Sequence, residues 1–181
     1  MCIRDSCGPE GLGGVALSGR VLAEASPTLI GWRSLQDETR ATIGDPDPFH
    51  HDSRRFEVAT SCVPLLAGLR CSIDLLEQEG NAARRLQRIQ TLSGGLWEGL
   101  SALPGVTPLL SGPPPAGLVS FQLSNGPAPA TIVNQFGQQA VWIRHLDDPL
   151  CLRACTHICT TEEEVQALIM AVRNTTSQES P

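Results

Sequence analysis

The 181-residue chain contains no lysine: all 13 of its basic residues are arginine. A guanidinium, with a pKa above about 12, supplies no neutral amine, so a mechanism that needs a side-chain Schiff base cannot be completed by this chain. A long apolar run is also missing. Nothing in the sequence approaches the ~20 consecutive apolar residues that span a bilayer, which argues against a membrane-spanning helix. There is no basic surplus either. The formal net charge of -6 disfavours nucleic acid or an anionic membrane as partner, since both call for a basic stripe. Small molecules and proteins remain. The seven cysteines are an odd count with no signal-peptide pattern ahead of them, so they read as reduced thiols in a cytoplasmic protein. Internal repeats are absent.

What is present fits one globular core, given the length, an apolar share of 41% and a charged share of 18%. The stretch CGPEGLGGVALS carries a Pro-Glu-Gly turn and predicts a strand at 14–17. It is no phosphate loop, because Gly11-x-Gly13-Gly14 lacks the GxGxxG spacing. Residues 32–53 are polar and aperiodic and read as a long surface loop. Within it His50-His51-Asp52 lacks the further converging ligands zinc requires, so no metal is expected. Cys62, Leu65, Leu66, Leu69, Ile73 and Leu76 recur at helical spacing, with Thr60 or Ser61 as cap. A second helix is expected over about 82–103, interrupted at Gly94-Gly95 by a kink or a close packing partner. Strands are predicted at 118–123, 140–145 and 150–156, and a short helix at 129–138. A last helix is capped by Thr160 or Thr161, with Glu162, Glu163 and Glu164 at its positive end and a stripe of Val165, Leu168, Ile169 and Val172. The tail from Asn174 is expected to fray.

The segment VWIRHLDDPLCLRACTH holds the main functional signal. A hairpin centred on Asp148-Pro149 sets Arg144 directly opposite Arg153, with both side chains on one face. Like charges so placed are destabilising unless an anion lies between them, and paired guanidiniums suit a carboxylate or phosphate. The alternative is that both are solvated or paired with Asp147 and Asp148. Cys151, Cys155, His157 and Cys159 share parity with Arg153. Cys155 and Cys159 stand roughly 13 Å apart on an extended strand, too far for one zinc ion.

Six blocks in order, CGPEGLGG, PTLIGWRS, RRFEVATSCVPLLAGL, LPGV, GLVSFQL and IRHLDDPLCLRACTHICTTEEEVQAL, resemble the C-terminal part of the aminotransferase class V enzymes that depend on pyridoxal 5'-phosphate (PLP). The nearest subgroup is the cysteine desulfurase-like, cystine C–S lyase and isopenicillin N epimerase-like proteins. The resemblance implies an α/β chain: the C-terminal small domain of a fold-type I PLP-dependent transferase, with a strand-bearing remnant of the large domain. It puts Arg153 on the substrate α-carboxylate, Arg144 as a second substrate-binding arginine, His157 beside them, and Thr60 on the cofactor phosphate across a dimer interface. The family's Schiff-base lysine would fall near Arg4, so the chain is expected to be truncated there and inactive alone.

The organisation implied is a non-native leader at 1–6, a large-domain remnant and surface loop at 7–54, an α/β small domain at 55–173 and a flexible tail at 174–181. The expected activity is C–S cleavage of cysteine or cystine by a homodimer. An aminotransferase or epimerase of the same family is the alternative, and a non-catalytic α/β binding or dimerisation module is the alternative of another class. A desulfurase would need a mobile nucleophilic cysteine, for which only Cys151 is at hand.

Overall fold

The computed structural model describes residues 7–37 and 46–177. The expected leader, Arg4 with it, lies outside them, as do 38–45 and 178–181. The chain packs as two compact units, Met1–Gln78 and Glu79–Pro181.

In the first unit, helix α1 spans Gly19–Glu24, with the Ser18 hydroxyl accepting from the Val21 N–H. The Arg55 guanidinium donates to the carbonyls of Leu22 and Ala25 and so closes the helix's C-terminal end. Ser34, in a short 3-10 turn over Trp32–Ser34, is fully buried; its hydroxyl donates to the Glu57 carbonyl at 2.6 Å and accepts from the Gly31 N–H at 3.1 Å. A Cβ at position 31 would run into the Val58 carbonyl, which explains the glycine in the GWRS block. The stretch expected to be one open loop is thus partly ordered, with an isolated bridge from Leu35 to Phe49. Gly14–Leu17, expected as a strand, is not one: among the described residues of this unit no neighbouring strand supplies a ladder, and Val15 is 79% exposed.

Helix α2 covers Val63–Gln78. Its Ser72 hydroxyl donates to the Cys7 carbonyl, and Gly68 faces the Pro9 ring. These contacts tie α2 to the N-terminal segment, so the division between units falls inside the stretch 55–173. Ser34 is the only buried residue among those described in this unit, while Leu29, Ile30, Val63 and Leu75 are all more than half exposed. An apolar surface of this kind calls for a cover. The purified chain should therefore bind a hydrophobic dye and self-associate as its concentration rises, which dye fluorescence and sedimentation will read; a dye-silent monomer is the contrary outcome.

The second unit holds the core. Helix α3 (Ala82–Ser101) starts at Asn81, whose side chain accepts from the Arg84 N–H. Strand β1 (Val106–Pro108), too short to stand out in the sequence, follows, then β2 (Leu118–Leu123), helix α4 (Pro129–Gln138), β3 (Arg144–Asp147), β4 (Leu150–Cys155) and helix α5 (Glu162–Ser177). The four strands form one antiparallel sheet in the order β1-β2-β4-β3. Val119 and Phe121 of β2 and Leu152 and Ala154 of β4 turn to one face. There they join Leu96 and Leu100 of α3, Ile132 and Phe136 of α4, and Val165, Leu168 and Val172 of α5. Burying such side chains is worth about 1.5–3 kcal/mol each.

Strand β3 begins later than residue 140 because residues 139–141 finish helix α4: Ala140 takes a positive φ of 59° and the Val141 N–H bonds back to the Phe136 carbonyl at 2.9 Å. At the start of α5, Thr161 and Glu164 form a reciprocal capping box, with N–H to side-chain distances of 2.8 and 3.2 Å. The carboxyl of Glu163 is held below its ordinary value by its own backbone N–H and by Thr161. The helix continues through Ser177, so Asn174–Ser177 is helical rather than frayed.

The glycine pair in α3 is not where that helix meets its partner. Nothing lies within 4 Å of a Cβ built at Gly95, and at Gly94 only Pro113 comes as near as 4.0 Å; a Cβ at Gly99 would instead overlap the side chain of Ile169 on α5. Two substitutions in one helix should therefore have opposite signs. Gly95→Ala should stabilise by about 0.5–1 kcal/mol, and Gly99→Val should destabilise by about 1–3 kcal/mol through overpacking. Urea denaturation of both variants checks this; equal effects would mean that the α3–α5 approach is not close.

Candidate substrate-binding site

The β3–β4 hairpin turns at a cis Asp148–Pro149 peptide, and its register pairs Arg144 with Arg153, Leu146 with Cys151 and Asp147 with Leu150. On its other side Arg153 is opposite Ser120 of β2. Because Leu152 and Ala154 enter the core, Arg153 and its cross-strand partners stand on the opposite face of the sheet. The result is a row of two guanidiniums and one hydroxyl, Arg144, Arg153 and Ser120, across three adjacent strands.

Among the described residues neither guanidinium donates a hydrogen bond or forms an ion pair. The nearest charged contact of Asp147 is with the hairpin's histidine instead, 3.9 Å from His145 Nε2. Arg144 is exposed and Arg153 half-buried. Two like charges on opposed strand positions cost roughly 0.2–1 kcal/mol, and a carboxylate bridging them would reverse that cost through charge-assisted, two-pronged hydrogen bonds. The row is chemically a carboxylate site that needs a further wall, since Arg144 at its outer end is exposed. A neighbouring cleft of about 380 Å³, lined by Thr107, Gln122, Asn125, Pro129 and Cys151 among others, includes neither arginine.

His157, half-buried, lies two residues past the end of β4; its backbone N–H donates to Thr160 Oγ1 at 2.9 Å and its Nδ1 stands 3.5 Å from Cys159 Sγ. Cys151 is 1% exposed within β4. Thr60, exposed, belongs to the first unit, in the non-helical segment just before α2. Ser120 escaped the sequence reading, because β2 and β4 are separated by α4 and β3 and no turn fixes their register.

The profile of the aminotransferase class-V family matches residues 5–168. The chain belongs to that family. Its structure is similar to that of the cystine C–S lyase C-DES in complex with its reaction product cysteine persulfide, with a TM-score of 0.83 and 39% identity over 94% of this chain and 44% of that one. A C-DES mutant with glycine covalently linked to the PLP cofactor gives a TM-score of 0.84 and the same identity, over 94% of this chain and 43% of that one. Kynureninase of Yarrowia lipolytica is 30% identical over 98 residues, 54% of this chain and 22% of the relative. The class-V chain thus has the fold of PLP-dependent fold-type I enzymes and spans less than half the length of these proteins. Among its described residues no helix is long and apolar enough to cross a membrane.

Tested against these residues, PLP fits in part. The Thr60 hydroxyl is exposed ahead of a helix, where a phosphate hydrogen bond is open to it, but with no lysine in the sequence the chain has no side chain to anchor the cofactor covalently. The primary amine that PLP chemistry requires is therefore not among this chain's side chains.

Proposed function

We propose that this chain is the C-terminal part of a PLP-dependent enzyme that cleaves a C–S bond of cystine or cysteine, with the cofactor lysine supplied by sequence outside these 181 residues. The observation that carries the reading is the unneutralised pair Arg144 and Arg153 on one sheet face of a class-V chain. In this reading Arg153 holds the substrate α-carboxylate in a two-pronged contact and Arg144 adds the second positive group. His157 flanks them, and Thr60 donates to the cofactor phosphate across the interface of a cytoplasmic homodimer. The likeness to a cystine C–S lyase at 39% identity supports the substrate class.

The burial of Cys151 favours the lyase over the desulfurase. A desulfurase needs a thiol that travels to the substrate sulfur, whereas Cys151 is locked in β4 opposite Leu146. In the full-length enzyme given cysteine, sulfide release with a keto acid as the carbon product should be the same in wild type and Cys151→Ala. Loss of sulfur release in that variant would instead make Cys151 the nucleophile of a desulfurase. A full-length enzyme that leaves cystine and cysteine intact would overturn the C–S assignment.

A further inference from the structure

Strand β2 alternates Leu118, Ser120 and Gln122, on the sheet face that carries the arginines, with Val119, Phe121 and Leu123 on the core side. Arg153 stands opposite Ser120 on β4. On the other flank the Ser120 carbonyl accepts from the Leu109 N–H at 2.9 Å, which extends the row to the residue after β1. Leu118 and Leu109 are 50% and 40% exposed and offer this face only apolar side chains. Gln122 is already engaged, since its Nε2 donates to the Leu150 carbonyl at 2.8 Å. The Ser120 hydroxyl is half-buried and makes no hydrogen bond among the described residues.

Directly opposed strand positions bring their Cβ atoms to about 4.5–5.5 Å, so this hydroxyl stands at the base of the Arg153 side chain. That side chain is half-buried, whereas Arg144 is exposed. A carboxylate offers about four lone-pair sites. A two-pronged guanidinium fills two of them, Arg144 at the sheet edge can take another, and the last is left for a donor on the inner side of Arg153. Of the described side chains on that side, Leu109, Leu118 and the engaged Gln122 cannot supply it, and Ser120 can. A wall that closes over this face also strips water from the hydroxyl, and a hydroxyl left with neither water nor a partner is destabilising. A bound carboxylate removes that cost.

We propose that Ser120 is a substrate-binding residue whose hydroxyl donates to the α-carboxylate held by Arg153 and Arg144, so that one carboxylate is recognised from three adjacent strands. The inference rests on the reading of the two arginines given under the proposed function. It adds a selectivity: the contribution of Ser120 exists only for ligands that carry the carboxylate and is absent for the corresponding amines.

The test titrates the full-length enzyme, followed by cofactor absorption, with L-alanine, which has an α-carboxylate but no leaving group on Cβ, and with ethylamine, the same molecule without the carboxylate. Ser120→Ala should weaken L-alanine binding by about tenfold, as loss of a hydrogen bond to a charged group does, and leave ethylamine binding unchanged. Ser120→Thr, which keeps the hydroxyl, should bind L-alanine like the wild type. Ser120→Cys is nearly isosteric with serine but a weak donor, so it should match Ser120→Ala and serves as the second loss variant where the alanine variant does not fold. Unchanged L-alanine affinity in both loss variants, with Arg153→Lys still weakening it, would overturn the role of Ser120 and leave the arginine reading standing. An equal loss for L-alanine and ethylamine would make Ser120 a structural residue and overturn the proposal as well. If Arg153→Lys also binds L-alanine like the wild type, the carboxylate lies elsewhere and both readings fall.

Discussion

Mixed with PLP, the 181-residue chain is expected to show no lysine Schiff-base absorption and no turnover of cystine, cysteine or any other amino acid. The expectation is chemical. A Schiff base to a side chain requires a neutral primary amine, and 13 arginines with no lysine provide none. Only the α-amino group of Met1 can condense with the aldehyde, and it does so without the site. The effect should be all or none: in a longer enzyme that supplies the lysine, absorption and activity should appear together, and replacement of that lysine should remove both. A spectrophotometric titration of the chain followed by an amino-acid consumption assay checks this. Turnover by the purified chain would mean that the C–S chemistry proceeds without a lysine and that the assignment to PLP chemistry is wrong for this protein.

In the full-length enzyme Arg153→Lys should weaken binding of a non-reactive amino-acid analogue by about one to two orders of magnitude. The substitution keeps the positive charge but replaces a planar fork by a single ammonium, so a charge-assisted hydrogen bond worth roughly 1.5–3 kcal/mol is lost. Arg144→Lys should cost less, because Arg144 is the more exposed of the two and stands at the edge of the sheet. PLP affinity should be unchanged by either substitution, since the proposed phosphate contact is made by Thr60 in the other unit. Equal analogue affinity in wild type and Arg153→Lys would make the hairpin arginines structural and put the carboxylate elsewhere.

The parts of this molecule that were legible in the sequence are those set by local chain geometry. The Arg144–Arg153 register follows from a tight turn at Asp148-Pro149, and the α5 start from Thr161 and Glu164 three residues apart. The illegible parts are those decided by distant segments. Ser120 joins the arginine row only through the β2–β4 pairing, which no turn determines. Gly99, not Gly94-Gly95, is the contact with α5 because the facing residue, Ile169, is 70 positions away and sequence periodicity does not say which turn of α3 it meets. Gly14–Leu17 has the composition of a strand but no partner among the described residues of its unit, and composition without a ladder leaves the backbone irregular.

The central claim is that Arg144 and Arg153 together hold a substrate carboxylate. Its most direct test is a crystal structure of the full-length PLP enzyme with a non-reactive cystine analogue. The account predicts the analogue's α-carboxylate on the Arg153 guanidinium at about 2.7–2.9 Å, with Arg144 next to it on the same sheet face. A carboxylate bound away from this face, with both guanidiniums in solvent, would contradict it.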